Sequence, residues 1–198
     1  MTDTSILKSS SGYCLVPNQS RLMLNRKVFL QGKIDNDVAS EIVRQFMILA
    51  IEDNAAPIDL LINSTGGAVD AGIFLYDAIQ TSPVPIRLFC MGRAYSMAAI
   101  LFASGQNGRF MLPHSRLMLH EPLLSDSVIG NTSSIKTVAD ALENTKQQMV
   151  KLLATHTGRT EAEIEDAIKN DHYFDPVQAI EFGLADRVVG LGDCLKEG

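Results

Sequence analysis

Short apolar runs alternate with amphipathic stretches along the chain, and this alternation restricts the possible folds more than any other feature. Residues 58–62 and 86–91 read as buried strands, and a helical pattern over residues 68–80 lies between them. Strands separated by helices are typical of parallel sheets, because neighbouring parallel strands need a long crossover connection. The sequence therefore predicts an α/β domain with largely parallel strands.

Composition excludes several classes of protein. The 198 residues carry 17 Lys and Arg against 23 Asp and Glu, for a net charge of −6. We expect no nucleic-acid partner, because the acidic chain offers no broad basic face. We expect no membrane partner, because no apolar run approaches the roughly 18 residues that a membrane-spanning helix needs.

Cysteine usage and the first residues bear on location. Cys14, Cys90 and Cys194 are too few and too scattered for a disulfide framework or a zinc knuckle. The chain starts without a basic segment followed by an apolar one, so no secretory signal is visible. A cytoplasmic location is the expectation.

The chain divides into an arm and one domain. Residues 1–19 lack apolar periodicity and include a Ser-rich stretch, so we expect a flexible N-terminal arm. Residues 20–198 form the domain, with a long helix over about 134–156. Residues at alternating spacings of three and four form a stripe on this helix: Ile135, Val138, Leu142, Thr145, Met149 and Leu152. The stripe packs either on the core of the domain or on another subunit.

Three strand ends carry polar or glycine-rich residues: 63–67, 92–97 and 120–122. In an open α/β sheet, ligand sites lie beyond the carboxyl ends of the strands. We therefore expect the functional site where these three segments meet.

Ser96, between a strand and an apolar helix, is either an N-cap or a nucleophile at a strand-to-helix turn. A serine nucleophile needs a base, and His120 alone among the four histidines directly follows an apolar strand. His120 and Glu121 do not begin an H-E-x-x-H zinc motif, because position 124 is Leu. Asp171 is a candidate for the acid that orients the base.

Other residues compete for or complete these roles. Glu121, Asp126 and Asp175 are rivals of Asp171 as the orienting acid. An oxyanion hole needs fixed backbone donors, and the Gly66-Gly67 turn and the amide of Met97 could supply them.

Taken in order, these segments resemble the Clp (caseinolytic) protease proteolytic subunit family, from about Ser20 to Val189. Residues 62–67 (INSTGG) look like the family's I-N-S-P-G-G turn. Residues 92–97 (GRAYSM) are similar to its G-x-A-A-S-M segment, and residues 113–122 to its P-N-S-R-x-M-I-H-Q-P segment. Residues 170–174 and 179–187 fall where the family has R-D-x-(F/Y)-(M/L) and A-x-E-Y-G-L-V-D-x.

The resemblance implies a serine endopeptidase with a crotonase-like α/β fold, a spiral of βαβ units with a projecting helical handle. It implies Ser96 as nucleophile, His120 as general base, Asp171 as orienting acid, and the backbone amides of Gly67 and Met97 as oxyanion hole. It also implies heptameric rings, stacked in pairs as a tetradecamer, that receive unfolded proteins from a AAA+ unfoldase. ATP is used by that partner, and this chain itself is expected to hold no cofactor and no metal.

This sequence departs from the family at several places. Thr65 replaces a proline, Tyr95 replaces a small residue beside the serine, and residues 123–131 lack the usual Gly- and Gln-rich composition. These departures favour a divergent paralogue, working beside a second, more typical subunit. Two alternatives remain: a catalytically weak or regulatory ring subunit, and a crotonase-type acyl-CoA enzyme.

Overall fold

The computed structural model describes residues 3–9, 12–124 and 127–195. The strands are β1 (Thr4–Ser9), β2 (Gly12–Pro17), β3 (Lys27–Ile34), β4 (Ile58–Gly67), β5 (Ile86–Tyr95), β6 (Arg109–Met111), β7 (Arg116–Leu119), β8 (His172–Phe174) and β9 (Arg187–Val188). The helices are α1 (Asn18–Leu24), α2 (Asn36–Glu52), α3 (Val69–Gln80), α4 (Met97–Ala103), α5 (Thr132–Thr157), α6 (Glu161–Ile168) and α7 (Pro176–Phe182), and a 3₁₀ turn follows at Leu191–Leu195.

Seven of the described strands form one sheet, in the order β3-β4-β5-β6-β9, and β7 and β8 branch from β5. All pairs are parallel except β7 with β8. The first half of β5 pairs with β6, and its last three residues pair with β7. Strand β5 therefore divides the sheet at its carboxyl end. The predicted α/β fold with largely parallel strands is confirmed.

Helix α4 lies at the centre of the core. All seven of its residues are buried, as expected for a helix that is apolar on every side. The core also includes one face of α2, α3 and α5 and the buried side chains of β4 and β5. A smaller cluster covers the other face of the sheet, and its buried members are Leu61, Phe89, Val189 and Cys194.

A charged rung crosses the first three strands of the sheet. Lys27, Asp59 and Arg87 occupy matching register positions on β3, β4 and β5. The Asp59 carboxylate is buried, is paired with Lys27, and accepts two hydrogen bonds from the Arg87 guanidinium at 2.5 and 2.9 Å. A buried carboxylate needs such partners, so the single Asp of this apolar strand is fully compensated.

The N-terminal segment differs from the irregular chain that its sequence suggests. Strands β1 and β2 pair antiparallel along their whole length, and α1 follows directly. Almost all side chains of the pair are exposed or half-buried, and α1 buries none. The pairing rests on backbone hydrogen bonds rather than on burial, so apolar periodicity gives no signal for it. Ser10 and Ser11 of the Ser-rich stretch lie outside the described residues.

Helix α5 is 26 residues long and ends at Gly158, which adopts the left-handed conformation with φ of 72°. Its buried residues are Met149, Val150 and Leu153, all in its second half. At the other end, Ile135 of the apolar stripe is 49% exposed. Only the second half of the stripe packs on the domain core, and the first half projects from it.

Candidate active site

Ser96 lies between β5 and α4 in a strained backbone conformation. Its φ of 54° and ψ of −125° make it one of two described non-glycine residues with positive φ. Such a conformation costs about 1–3 kcal/mol and persists only where the surroundings fix it. Its amide donates to the carbonyl of Met118 on β7 at 2.8 Å, which holds the turn against the neighbouring strand.

The side chain of Ser96 faces a histidine instead of capping its helix. Helix α4 has no side-chain N-cap hydrogen bond, so the N-cap interpretation is not what the structure shows. The Oγ of Ser96 is hydrogen-bonded to Nε2 of His120 at 2.8 Å. The two residues are 24 positions apart and meet because Tyr95 and Met118 share a register position between β5 and β7.

Asp171 lies next to His120 but outside hydrogen-bonding distance. Strand β8 runs antiparallel to β7 and pairs His172 with Leu119, which places Asp171 across from His120. The Asp171 Oδ1 atom is 3.7 Å from Nδ1 of His120, and the Asp171 side chain is 59% exposed. Catalytic hydrogen bonds are often long in ligand-free sites.

The rival acids have other partners. Glu121 is ion-paired with Lys146 at 2.7 Å. Asp175 caps α7, accepting from the Gln178 amide at 2.9 Å. Asp126 lies outside the described residues. Among the described candidates, Asp171 is therefore the acid that the fold brings to His120.

Gly66 approaches Ser96 closely and, like Gly67, lies at the end of β4 rather than in the turn that the sequence suggests. A Cβ atom on Gly66, whose φ is +82°, would lie 2.9 Å from Cβ of Ser96 and 3.0 Å from the amide nitrogen of Met97. The Gly66 amide already donates to Oγ of Ser64 at 3.0 Å. Met97 is the first residue of α4, where backbone amides have no acceptor within the helix.

A cavity of about 410 Å³ opens beside the serine and histidine. Its wall includes Gly67, Ser96 and His120. Among the described residues that line it, Lys33 is the only lysine or arginine. The rest of the lining is mainly apolar and includes Val69, Ile100, Met118, Leu123, Met149, Leu153 and Ile168. Another cavity, of about 510 Å³, lies beside α2 and is larger, but neither Ser96 nor His120 lines it.

Sequence reasoning missed Lys33 and Ile168. The apolar run at residues 28–30 predicts only a short strand that ends at Gly32, but β3 continues to Ile34 and includes Lys33 as its next-to-last residue. Ile168 ends α6, which no strand-end argument connects to the site. A longer β3 could have been inferred from Ile34, which is fully buried.

The other described histidines have structural surroundings. His156 is hydrogen-bonded through Nε2 to the hydroxyl of Tyr76 at 2.9 Å, and His172 stacks on Phe174. His114 is exposed in a turn. Across residues 3–9, 12–124 and 127–195, no group of three or more His, Cys, Asp or Glu side chains is arranged to hold a metal ion. Within the same residues, no helix is both long and apolar enough to cross a membrane.

Comparison with known proteins identifies the family of this chain. The model of the Clp protease family matches residues 12–191. The ATP-dependent Clp protease proteolytic subunit of Bdellovibrio bacteriovorus is 39% identical over 172 residues, which cover 86% of this chain and 81% of that one. The corresponding proteolytic subunit 2 of Corynebacterium efficiens is 38% identical over 174 residues, covering 87% and 86%. That of Rhodococcus jostii is 38% identical over 170 residues, covering 85% and 86%. The family resemblance is confirmed, and this chain belongs to the Clp protease family.

Proposed function

We propose that this chain is the proteolytic subunit of an ATP-dependent Clp protease, a serine endopeptidase that cuts unfolded proteins into short peptides. The observation that carries the proposal is the 2.8 Å contact between Ser96 Oγ and His120 Nε2. The contact lies beside the two glycines that end β4 and beside an apolar cavity. A serine with an adjacent base and fixed amide donors is the arrangement that acyl transfer requires.

The first half of the reaction forms an acyl-enzyme. Nε2 of His120 takes the hydroxyl proton as Oγ of Ser96 attacks the peptide carbonyl carbon. The backbone amides of Gly67 and Met97 stabilise the negative charge on the carbonyl oxygen. His120 then gives the proton to the leaving nitrogen, and the carbon–nitrogen bond breaks.

The second half releases the peptide. His120 takes a proton from water, the resulting hydroxide attacks the ester carbon, and the proton returns to Ser96 Oγ as the ester bond breaks. Asp171 holds the imidazole ring in orientation and stabilises its protonated form. These steps use only side chains and backbone of this chain, so ATP serves the partner unfoldase and not the hydrolysis.

The cavity and α5 support the rest of the proposal. An apolar cavity of about 410 Å³ suits a large apolar side chain next to the cut bond. The first half of α5 buries no residue and leaves Ile135 exposed, which suits contact between two heptameric rings stacked as a tetradecamer. In this proposal a AAA+ unfoldase of the cytoplasm feeds unfolded chains into the enclosed chamber.

The long contact between Asp171 and His120 favours a second candidate, a catalytically weak ring subunit that depends on a second paralogue. A distance of 3.7 Å leaves the imidazole without its acid partner. The crotonase-type alternative has less support, because that chemistry needs carboxylates at the site. Among the described residues that line the cavity, none is Asp or Glu.

Labelling with a serine-reactive phosphonate tests the proposal. We expect covalent modification of the purified chain that is lost in Ser96→Ala. The matched control Ser133→Ala, on the exposed start of α5, keeps it. Labelling that persists in Ser96→Ala would remove Ser96 from its role.

Peptide cleavage by the purified chain alone, compared with a mixture containing a typical Clp proteolytic subunit, separates the active enzyme from the weak ring subunit. Turnover of an enoyl-CoA by Ser96→Ala would favour the crotonase-type enzyme.

A further inference from the structure

Two tyrosines meet where the nucleophile strand and the acid strand end. Tyr95 is the last residue of β5 and directly precedes Ser96. Tyr173 is the middle residue of β8 and lies two positions after Asp171. Their rings are in edge-to-face contact, with centroids 5.7 Å apart and an interplanar angle of 87°. This is a favourable geometry for an aromatic pair.

Sheet register explains the contact. Tyr95 pairs with Met118 between β5 and β7, and Met118 pairs with Tyr173 between β7 and β8. The three side chains therefore occupy one row across three strands, and the two rings meet above Met118. Each tyrosine is joined by one or two peptide units to a residue of the proposed catalytic triad.

Apart from its backbone pairing with β7, strand β8 has few buried side chains near Asp171. It is three residues long, and only Phe174 is buried, where it packs against Phe182 with ring centroids 5.0 Å apart. Asp171 lies beyond the opposite end, with a mostly exposed side chain. Its carboxylate would have to move about 0.8 Å closer to His120 to reach a hydrogen-bond distance of about 2.9 Å. Small shifts of β8 thus decide whether the acid engages the base.

The position of Tyr95 argues against a role in substrate selection. Of the described residues, those that line the cavity beside Ser96 do not include Tyr95 or Tyr173. The Tyr95 ring is instead covered by Tyr173 and lies 6.0 Å from the guanidinium carbon of Arg93. The large side chain beside the nucleophile therefore points along the sheet towards the acid strand.

We propose that Tyr95 and Tyr173 form an aromatic clamp that positions Asp171 against His120, an inference that rests on the proposed serine protease function. The clamp adds a side-chain contact between β8 and β5, the strand that leads into Ser96, to the backbone pairing of both strands with β7. Both tyrosines are positioning residues, since neither touches the reacting atoms.

The test compares Tyr173→Ala and Tyr95→Ala with the conservative changes Tyr173→Phe and Tyr95→Phe, using hydrolysis of a fluorogenic peptide. We expect the alanine variants to lower kcat about two- to tenfold, the range that an aromatic pair can supply, with KM little changed. The phenylalanine variants retain the ring and keep wild-type kcat. Tyr13→Ala, which removes an exposed ring elsewhere, is the control.

A double-mutant comparison separates positioning from general structure. In an Asp171→Asn background, adding Tyr173→Ala should leave the rate of phosphonate labelling of Ser96 unchanged, because the acid to be positioned is already absent. An equal further loss in that background would overturn the clamp, as would wild-type kcat in both alanine variants. If Tyr173→Ala does not fold, Tyr173→Leu gives the same comparison with a bulkier side chain.

Activity that survives in Ser96→Ala would contradict the proposed function itself. Loss of activity in Ser96→Ala together with unaffected tyrosine variants would contradict only the clamp.

Discussion

Replacing Gly66 with alanine tests whether the close approach of the end of β4 to Ser96 sets the rate of hydrolysis. The new Cβ atom would lie 2.5 Å from the carbonyl oxygen of Tyr95 and 2.9 Å from Cβ of Ser96. Non-bonded carbon atoms rest about 3.5 Å or more apart, so the end of β4 and the serine must separate by roughly 0.6–1 Å. Because a displacement of about 1 Å can cost about 100-fold in rate, we expect kcat for a fluorogenic peptide to fall about 100-fold.

The matched control is Gly158→Ala at the end of α5. Gly158 has a similar positive φ, +72° against +82°, but a Cβ there would meet nothing within 4 Å. Each variant should lose about 1–2 kcal/mol of unfolding free energy from backbone strain, measured by urea denaturation. Only Gly66→Ala should lose activity. A Gly66→Ala protein with wild-type kcat, or an equal loss of kcat in Gly158→Ala, would refute the reasoning.

Three further predictions concern groups away from the serine. Burial, together with the nearby Arg109 charge, lowers the pKa of His156, so folding favours its neutral form. The stability this contributes is present above the unfolded pKa of about 6.5 and is lost as pH falls below it. Between about pH 7 and about pH 5, the free energy of unfolding measured by urea denaturation should therefore fall less in His156→Gln than in the wild type. An equal fall in both proteins would contradict this. Asp59→Asn leaves the cations Lys27 and Arg87 of the charged rung without their carboxylate. The free energy of unfolding should fall by about 3–5 kcal/mol, and a fall below about 1 kcal/mol would show that the rung contributes little. Burial raises the pKa of the Cys90 thiol to about 11, while Cys14 is exposed. Iodoacetamide at about pH 8 should thus alkylate Cys14 and spare Cys90 in peptide mass spectra, and comparable modification of both would be inconsistent with the buried thiol.

The central strands and helices could be predicted from sequence because burial determines them. Strand β4 buries each of its first five residues, and α4 is buried on every side, so both leave a clear apolar signature. The β1–β2 pair leaves none, because its side chains are mostly exposed and its strands are joined by backbone hydrogen bonds. Helix α1 has no buried residue, so apolar periodicity gives no signal for it either.

In the candidate site, the sequence indicates residues that follow apolar strands but not those whose position depends on strand register. Sequence reasoning identified Ser96 and His120 because each follows an apolar strand. It could not choose Asp171 over Glu121, because that choice depends on the antiparallel pairing of β8 with β7 and on the ion pair of Glu121 with Lys146. The pairing of Tyr95 with Tyr173 depends on the register of three strands, which no local pattern in this chain reveals.

Helix α5 packs on the domain only through its second half, and this offers a way to measure association of this chain. Its first half, residues 132–144, contains no buried side chain and extends about 20 Å. A helix of this length is only marginally stable in water when nothing packs against it. Any surface that covers the apolar stripe must therefore add directly to its local stability. Amide hydrogen exchange in residues 132–144 thus tests the proposed assembly. If the proposed rings form, we expect exchange there to be fast in the dilute chain and to slow at higher protein concentration, while the amides of β4 and β5 stay protected at both.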